Sequence, residues 1–322
     1  MSTEPLLFPP EFTYLTVGFK IRLKEEAVFP EYKGSLFRGV LGKAMHDLSC
    51  REQRRNCEGC HGVITCPYAN LFKPDLILKG LLITVPFVVS CSDEREFLNP
   101  GDTISLAITL FGDFIDYVDY FLASFHHAGQ IGLGHKRAKF EILEIGTGGR
   151  PIFLEGRIIE GVGLDRQSLA GLRVPKRPVK RLRLRFLSPT SLHRNSCQIY
   201  APRLEEIVDY IVYRIRRLND TIWRVKDYRL DMACFDGRGF TVSRYRMDYS
   251  KIFKSKGLGN KVELSGFTGF MDVSGDLDRL LPLLRAGEIL HIGARTSYGL
   301  GKYELKVLKS GSSSSSGSRE LT

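Results

Sequence analysis

Four cysteines that lie close together near residue 60 have the chemistry of a metal site. The pattern C-x6-C-x2-C-x5-C is formed by Cys50, Cys57, Cys60 and Cys66, with His61 among them. Zinc prefers a closed tetrahedral shell of thiolates, or of three thiolates and one imidazole. Because a short segment rich in Arg, Glu and Gly has little other means of ordering itself, we expect a structural zinc ion here. An iron–sulfur cluster is one alternative, which the adjacent Pro67 favours, and free thiols on a flexible loop are the other.

His46 combines a proton-transfer group with neighbouring cations. On a helical wheel it lies at the centre of a polar face beside Gly39, Gly42 and Lys43, where small residues leave room for a substrate. Imidazole titrates near neutral pH, so it can take or give a proton, and Lys43 or Arg38 can stabilise a phosphorane-like charge. The other interpretations are a solvated surface histidine and a further contributor to the cysteine segment.

A glycine-rich stretch near the C-terminal end, Gly287–Leu308, is suited to a phosphate backbone. Glycine lets the main chain approach a ligand and turn its N–H groups outward, while Arg and Lys neutralise phosphate and Tyr stacks on a base. The residues predicted to contact RNA are Gly293, Arg295, Thr296, Ser297, Tyr298, Gly299, Gly301 and Lys302. The spacing is neither that of a dinucleotide fingerprint nor that of a P-loop, and a plain connection between two elements is the alternative.

A basic run, Arg173–Arg185, supplies a second candidate surface. It contains seven basic residues and no acidic one. As a strand it turns Arg181, Arg183 and Arg185 to one side and apolar residues to the other. Three arginines on one face of a strand repel one another, which favours an RNA backbone over them, although solvation by water is the alternative.

The composition agrees with a polyanion as partner. The 322 residues carry a formal net charge of +11, and a positive field of this kind attracts nucleic acid without any special motif. No amphipathic basic helix stands at either terminus, which favours nucleic acid over a membrane surface. The chain has no long apolar run and no basic leader, and its seven cysteines indicate a reducing compartment, so we expect a cytoplasmic protein without a membrane span.

Hydrophobic periodicity predicts the same succession of elements twice. The first half has a strand at Thr13–Lys24, a helix from Ser35 to about Leu48, strands at Gly80–Ser90 and Thr103–Phe111, a helix at Asp116–His127 and a strand at Ala138–Ile145. The second half has a strand at Val179–Leu187, a helix at Tyr200–Leu218, strands near Phe240–Phe253 and Lys261–Val273, a helix at Asp276–Ala286 and a strand at Lys302–Leu308. This is the ferredoxin-like βαββαβ order. We therefore predict an α+β fold of tandem ferredoxin-like (βαββαβ, RRM-like) domains with antiparallel sheets.

The predicted domain boundaries follow from this repetition. Residues 1–148 form a first domain with the cysteine-rich insertion at 49–70, residues 149–178 are a linker, residues 179–309 form a second domain, and residues 310–322 are a disordered Gly/Ser-rich tail. The sequence G-L-G before a basic, alternating strand occurs at Gly132–Gly134 and again at Gly299–Gly301. This echo indicates an internal duplication.

Together these residues resemble the CRISPR-associated endoribonucleases that cut precursor crRNA at its repeats, the sixth Cas family, within the RAMP superfamily of duplicated ferredoxin-like domains. G-F-T-G-F-M-D-V at 266–273 and G-A-R-T-S-Y-G-L-G-K-Y at 293–303 look like the superfamily's glycine-rich loop. F-L-S-P-T-S-L at 186–192 is similar to the F-x-T/S-P-x-x-L that opens the family's second domain. The helix G-S-L-F-R-G-V-L-G-K-A-M-H, with the C-E-G-C and C-P-Y-A-N-L-F segments, looks like a subgroup that carries a cysteine-rich insertion in the first domain.

The resemblance implies an activity and a set of partners. It implies cleavage without a catalytic metal, in which a deprotonated ribose 2′-OH attacks the adjacent phosphate and leaves a 2′,3′-cyclic phosphate and a 5′-OH. The catalytic role falls on His46, with Lys43 or Tyr32 as an electrostatic or proton partner. The implied partners are CRISPR repeat RNA, crRNA and subunits of a CRISPR effector complex. The alternatives are a non-catalytic RNA-binding RAMP subunit of such a complex, and a zinc or iron–sulfur protein whose basic surface serves assembly.

Overall fold

The computed structural model describes residues 7–52, 56–77, 84–172, 177–230, 239–255 and 261–308. Predictions that fall partly or wholly outside these ranges include the start of the strand at Gly80–Ser90, residues 53–55 of the cysteine-rich insertion, the start of the basic run at 173–176, which also lies in the predicted linker, and the tail at 310–322. No helix in the described ranges is both long and apolar enough to cross a membrane.

The first domain is built on a sheet with two long helices across one face. Its strands are β1 (Thr13–Leu23), β2 (Ala27–Val28), β3 (Phe87–Cys91), β4 (Phe97–Leu98), β5 (Thr103–Phe111), β6 (Phe140–Thr147), β7 (Arg150–Leu154), β8 (Arg157–Ile158) and β9 (Gln167–Ser168). Its helices are α1 (Gly34–Ser49), α2 (Pro67–Phe72) and α3 (Val118–Ile131), with short 3-10 segments at Pro74–Leu76, Gly112–Tyr117 and Leu169–Gly171. The main sheet is antiparallel, in the order β3-β5-β1-β6-β7-β8.

The second domain repeats this plan. Its strands are β10 (Arg181–Thr190), β11 (Leu192–Arg194), β12 (Cys197–Ile199), β13 (Thr241–Ser250), β14 (Phe253–Ser255), β15 (Lys261–Glu263), β16 (Gly266–Ser274) and β17 (Tyr303–Val307). Its helices are α4 (Leu204–Leu218) and α5 (Leu281–Leu290), with a π-helical turn at Asn219–Trp223 and a 3-10 turn at Thr296–Tyr298. The antiparallel order β13-β16-β10-β17 matches β3-β5-β1-β6 element for element. The prediction of tandem ferredoxin-like domains is confirmed.

Local periodicity decides which side of each element is buried. The core-facing residues of β1 are Leu15, Val17, Phe19, Ile21 and Leu23, and none of them is more than 3% exposed. The core-facing residues of α4 are Leu204, Ile207, Val208, Ile211, Val212, Ile215 and Leu218. The first set alternates and the second recurs at helical spacing, so both faces follow directly from the sequence.

The segment predicted as a linker, residues 149–178, contributes three short strands to the first sheet. β7 pairs with β6, β8 pairs with β7, and β9 pairs with the start of β1. Without β7 the outer edge of β6 would leave a row of N–H and C=O groups unpaired. Ile152 and Phe153 of β7 also pack on the first core. The glycines of this segment therefore mark turns between short strands and not a free connection.

The two G-L-G sequences lie at equivalent places and have positive φ angles at both glycines, although the ψ angle of the first glycine differs, 161° at Gly132 and 7° at Gly299. Each lies between the second long helix and the fourth central strand of its domain. The φ angles are +84° and +72° at Gly132 and Gly134, and +85° and +72° at Gly299 and Gly301. The leucine between the glycines is 0% exposed in the first domain and 2% exposed in the second. Because other residues rarely adopt such φ angles, the matched positions of these glycines support the predicted duplication.

The start of the described chain packs on the second domain. The Phe12 ring stacks on the Trp223 indole with 4.3 Å between ring centroids and 13° between the planes. The Trp223 Nε1–H donates to the Thr13 carbonyl at 3.0 Å, and the Tyr228 hydroxyl donates to the Leu7 carbonyl at 3.2 Å. Phe12 is fully buried in the second core. An aromatic seam therefore joins the two domains.

Truncation of Trp223 tests how much this seam stabilises the protein. Trp223→Ala removes the stack on Phe12 and the hydrogen bond to Thr13, so we expect the free energy of unfolding to fall by about 3–5 kcal/mol in chemical denaturation. Tyr213→Ala is the control, because Tyr213 is 54% exposed on α4. A loss below about 1 kcal/mol for Trp223→Ala would show that the seam contributes little.

Candidate nucleic-acid interface and catalytic residues

The glycine-rich loop between α5 and β17 is held by a bulge at the end of β10. The Lys302 N–H donates to the Ser188 Oγ at 3.0 Å, and the Gly301 N–H donates to the Pro189 carbonyl at 3.1 Å. The pairing of β10 with β16 shifts register across Pro189, which has no N–H to contribute to the ladder. The F-L-S-P-T-S-L motif therefore positions the loop.

The loop also packs against the first turn of α1, so it is a contact between the two domains. Gly34 and Gly299 approach so closely that a Cβ on Gly34 would overlap the Tyr298 carbonyl and the Gly299 Cα. The Arg38 Nε–H donates to the Ser297 Oγ at 3.2 Å. The Arg38 guanidinium lies 4.2 Å from the centre of the Tyr298 ring. The first helix thus covers part of the loop that the sequence predicts to face RNA.

These contacts divide the loop residues that were predicted to contact RNA. Thr296, Ser297 and Gly301 are buried, and Arg295 is exposed. The others, Gly293, Tyr298, Gly299 and Lys302, are partly buried. Base stacking on the face of the Tyr298 ring that Arg38 covers is excluded in this arrangement. The loop therefore mainly connects the two domains, and only its exposed and partly buried residues are accessible to a ligand.

The open face of the second sheet carries the arginines of β10, but one of them is already paired. The Arg183 guanidinium donates to both carboxylate oxygens of Asp272, at 2.6 and 2.9 Å, and lies 4.2 Å from the centre of the Phe270 ring. Arg181 is partly buried and Arg185 is exposed. The charge of Arg183 is therefore neutralised within the protein, whereas those of Arg181 and Arg185 face outward.

Strand pairing adds basic residues to this face that the sequence analysis did not single out. They are Arg244 and Arg246 on β13 and Lys306 on β17, and all three are exposed. Register places Arg244 across from Asp272 and Lys306 across from Arg183. Directly paired residues project to the same side of a sheet, so these cations join the predicted arginines. No local pattern marks them, because their strands reach β10 only through long-range pairing.

The surroundings of His46, in the last turn of α1, differ from the open polar face that the helical wheel predicts. Its ring packs edge-on against Tyr68 of α2, with 4.7 Å between centroids. The Phe72 ring lies against Gly42, one turn earlier, and Lys43 is exposed beside them. The part of this face at Gly42 and His46 is thus covered by α2, which follows the cysteine segment and packs on α1, whereas Gly39 and Lys43 remain exposed.

Tyr32 lies at the other end of α1, in a cleft between the domains. The cleft has a volume of about 460 Å³ and includes Leu300 of the glycine-rich loop in its wall. Burial, and then the Glu31 carboxylate, raises the pKa of Tyr32, so its hydroxyl keeps its proton at neutral pH. From Gly34 to His46 the helix rises about 18 Å. The structure therefore does not bring Tyr32 and His46 to one place.

The four cysteines of the insertion line one cavity of about 380 Å³. Burial raises the pKa of the Cys57 thiol, and Cys66, Cys50 and Cys60 raise it further, so Cys57 lies within electrostatic reach of the other three. Across the described residues, no three His, Cys, Asp or Glu side chains converge closely enough to hold a metal ion. His61 is exposed and is not part of the cavity wall. The four thiols are ligands of the type that zinc prefers, but in this structure they do not converge into a single coordination shell.

Comparison with known proteins identifies the family of the second domain. Residues 184–303 match the family model described as CRISPR-associated endoribonuclease Cas6. In this domain the chain is Cas6-like. Residues 12–162 match a second family model, described only as an N-terminal domain. The chain is also 24% identical over 303 residues to an uncharacterised protein of Archaeoglobus fulgidus, an alignment that covers 88% of this chain and 97% of that protein.

Solved structures share the fold of this Cas6-like protein. A product complex of Cas6 (TTHB231) is 16% identical and covers 91% of this chain and 100% of that one, with a TM-score of 0.55. Thermus thermophilus Cas6 (TTHB231) is 14% identical, with 92% and 99% covered and a TM-score of 0.55. A chain of a partial Cas6-RT-Cas1–Cas2 complex is 12% identical with a TM-score of 0.60, and covers 95% of this chain but 48% of that chain. At these identities the comparison establishes a common fold.

The family match falls on the part of the Cas6-like protein that builds the loop. Residues 184–303 run from β10 to the first residue of β17, so they include the F-L-S-P-T-S-L bulge and the glycine-rich loop. The cysteine segment lies within residues 12–162, and its assignment to a particular subgroup stays a prediction.

Gly34→Ala tests the joint between loop and helix. The added Cβ would overlap the backbone of Tyr298 and Gly299, so we expect the free energy of unfolding to fall by about 1–3 kcal/mol in chemical denaturation. Gly163→Ala is the control, because a Cβ there meets no atom within 4 Å. Equal stability of the two variants would contradict a tight joint.

Proposed function

We propose that this Cas6-like protein is an endoribonuclease that cuts CRISPR repeat RNA to give mature crRNA without a catalytic metal ion. The match of residues 184–303 to the Cas6 endoribonuclease family carries the proposal. In the proposed reaction a ribose 2′-OH loses its proton and its oxygen bonds to the adjacent phosphorus. The bond from phosphorus to the 5′ oxygen breaks, and that oxygen takes a proton. The products are a 2′,3′-cyclic phosphate and a 5′-OH, and general acid and base catalysis suffices. Proposed partners are repeat RNA, crRNA and other Cas proteins, including effector-complex subunits.

The open face of the second sheet supports RNA binding. Its outward cations are Arg181, Arg185, Arg244, Arg246 and Lys306. Two of them contact acids, Arg185 with Glu304 at 3.5 Å and Arg246 with Asp248 at 3.2 Å, but all four side chains are at least half exposed, so these pairs are weak. Cations arrayed across a sheet follow a phosphate backbone, and salt then weakens the complex. This surface is the proposed path of the RNA across the second domain.

Two separate places supply proton-transfer groups. At one end of α1, His46 can take or give a proton while Lys43, exposed on the preceding turn, neutralises phosphate. At the other end, Tyr32 keeps its proton and can only donate it, for example to the leaving 5′ oxygen. Because about 18 Å of helix separates the two ends, they cannot act on one phosphate. We propose His46 and Lys43 as the catalytic pair, with Tyr32 as the candidate at the domain cleft.

The packing of His46 favours one alternative, a non-catalytic RNA-binding subunit. The imidazole lies against Tyr68 and faces the cysteine cavity, on a different element from the cationic sheet face. A histidine held in this way also suits a purely structural role. Such a subunit would bind repeat RNA through the second domain and leave it intact.

Cleavage of a repeat RNA in EDTA tests the proposed reaction. We expect the wild-type protein to cut and to leave a 2′,3′-cyclic phosphate, identified by end-group analysis. His46→Ala should slow cleavage by about 100-fold or more, since a positioned acid or base contributes that much. His126→Ala is the matched control, because His126 is exposed on α3. Tyr32→Phe, measured in parallel, should have the smaller effect.

The outcomes separate the hypotheses. Undiminished cleavage by His46→Ala contradicts its catalytic role, and a larger loss in Tyr32→Phe moves the chemistry to the domain cleft. Tight RNA binding without any cleavage by the wild type favours the non-catalytic subunit. Loss of cleavage in EDTA at an unchanged melting temperature contradicts metal independence.

We also propose that Cys50, Cys57, Cys60 and Cys66 hold one structural zinc ion. Their shared cavity and their thiolate chemistry support this, and the ion would order a segment that has few apolar contacts. Cys50 follows the last turn of α1, and Cys66 precedes α2. An ion bound by both would tie together the two elements that enclose His46.

Metal analysis of the purified protein tests this proposal. We expect about one zinc per chain for a single closed shell of four thiolates. Cys57→Ser should lose the metal and lower the melting temperature, whereas Cys197→Ser, at an exposed cysteine, should change neither. A brown protein that contains iron and sulfide would indicate an iron–sulfur cluster instead of zinc. A metal-free protein of undiminished stability would contradict both assignments.

A further inference from the structure

A cavity of about 410 Å³ lies between the glycine-rich loop and α4. Its cationic wall is formed by Arg214 and Arg217 of α4 and Arg295 of the loop, with His193 of β11 beside them. Thr84 of the first domain closes one side, so the cavity exists only where the two domains meet. Among the described residues that line it there is no carboxylate.

Arg214 is the unusual member of this wall. Its Nε–H donates to the Leu290 carbonyl at 3.3 Å, but its Nη2 is buried and has no hydrogen-bond partner in the described part of the chain. Burial alone lowers the pKa of Arg214 to about 10, so the guanidinium stays charged at neutral pH. A buried cation without a partner destabilises a fold unless something compensates it.

The missing partner has the chemistry of a phosphate. Guanidinium groups bind phosphate oxygens through paired, charge-assisted hydrogen bonds, and Arg214, Arg217 and Arg295 offer such groups around one space. Tyr213, 54% exposed, lines the same cavity and offers a ring face to a base. The volume exceeds that of a phosphate ion alone and leaves room for part of a nucleotide.

We propose that this cavity binds a phosphodiester of the RNA, with Arg214, Arg217 and Arg295 as its ligands. The assignment to RNA rests on the proposed function, whereas the phosphate chemistry rests on the cavity alone. A phosphate held here would anchor the RNA at the domain junction. Arg214 would be a binding residue and would take no part in proton transfer.

Arg214→Met tests the anchor, because methionine fills the space without the charge. We expect the affinity for a fluorescently labelled repeat RNA to fall by about tenfold, and the slope of log affinity against log salt to become shallower by about one phosphate contact. Arg216→Met is the matched control: it removes the same charge from the same helix, but Arg216 is exposed and does not line the cavity. The melting temperature of Arg214→Met should be unchanged or higher, since an unpaired buried charge is removed.

Titration with inorganic phosphate distinguishes a phosphodiester of RNA from free phosphate as the ligand of this cavity. Titration of phosphate should raise the melting temperature of the wild type and of Arg216→Met, but not that of Arg214→Met, and repeat RNA should compete with it. Phosphate stabilisation that RNA does not displace would overturn the assignment to RNA. Equal effects of Arg214→Met and Arg216→Met on RNA affinity and on phosphate stabilisation would overturn the site.

Two further comparisons keep the test decisive. If Arg214→Met does not fold, Arg214→Lys keeps the charge and loses the paired donors, and should still weaken RNA binding more than Arg216→Lys does. Cleavage is measured separately: a wild type that binds RNA through Arg214 but does not cut it supports the anchor and counts only against the proposed catalysis.

Discussion

The contact between the Gly34 and Gly299 backbones decides how the two domains meet, and the candidate sites depend on it. Only residues without a side chain let the first turn of α1 lie against the loop. Once they touch, Arg38 reaches Ser297 and covers the Tyr298 ring, while Gly293 and Arg295 of the loop line a cavity together with α4. One close approach therefore determines which loop atoms are buried and which remain open to a ligand.

Positive charge accumulates along this joint. Lys33 is fully buried and donates to the Asp93 carbonyl at 2.7 Å, with the Asp93 carboxylate 3.5 Å away. Burial lowers the pKa of Lys33 and of Arg38, as it does for Lys302 and Arg214. A carboxylate compensates the first of these cations and aromatic rings compensate the second. The charge that remains suits a polyanion that crosses from one domain to the other.

The two copies of the repeated unit use the same loop differently. In the first domain a Cβ at Gly132 would meet the Arg137 backbone of its own domain, whereas in the second domain a Cβ at the equivalent Gly299 would meet Val89 and Gly34 of the other copy. The first domain instead carries the cysteine segment between α1 and β3. After this segment the chain forms α2, which packs on α1 beside His46. The shared plan thus supplies the scaffold, and the features that bear on function lie where the copies diverge.

The order of elements, the duplication, the buried faces of β1 and α4 and the excess of positive charge were all predictable from the amino-acid sequence, since each depends on composition or on spacing within one element. The same spacing placed Arg181, Arg183 and Arg185 on one face. Sequence reasoning could not find that Asp272, 89 residues away, neutralises Arg183, that α2 covers the polar face at His46, or that Arg214 and Arg295 line one cavity. These facts depend on which distant segments pack together, and local periodicity carries no information about that choice.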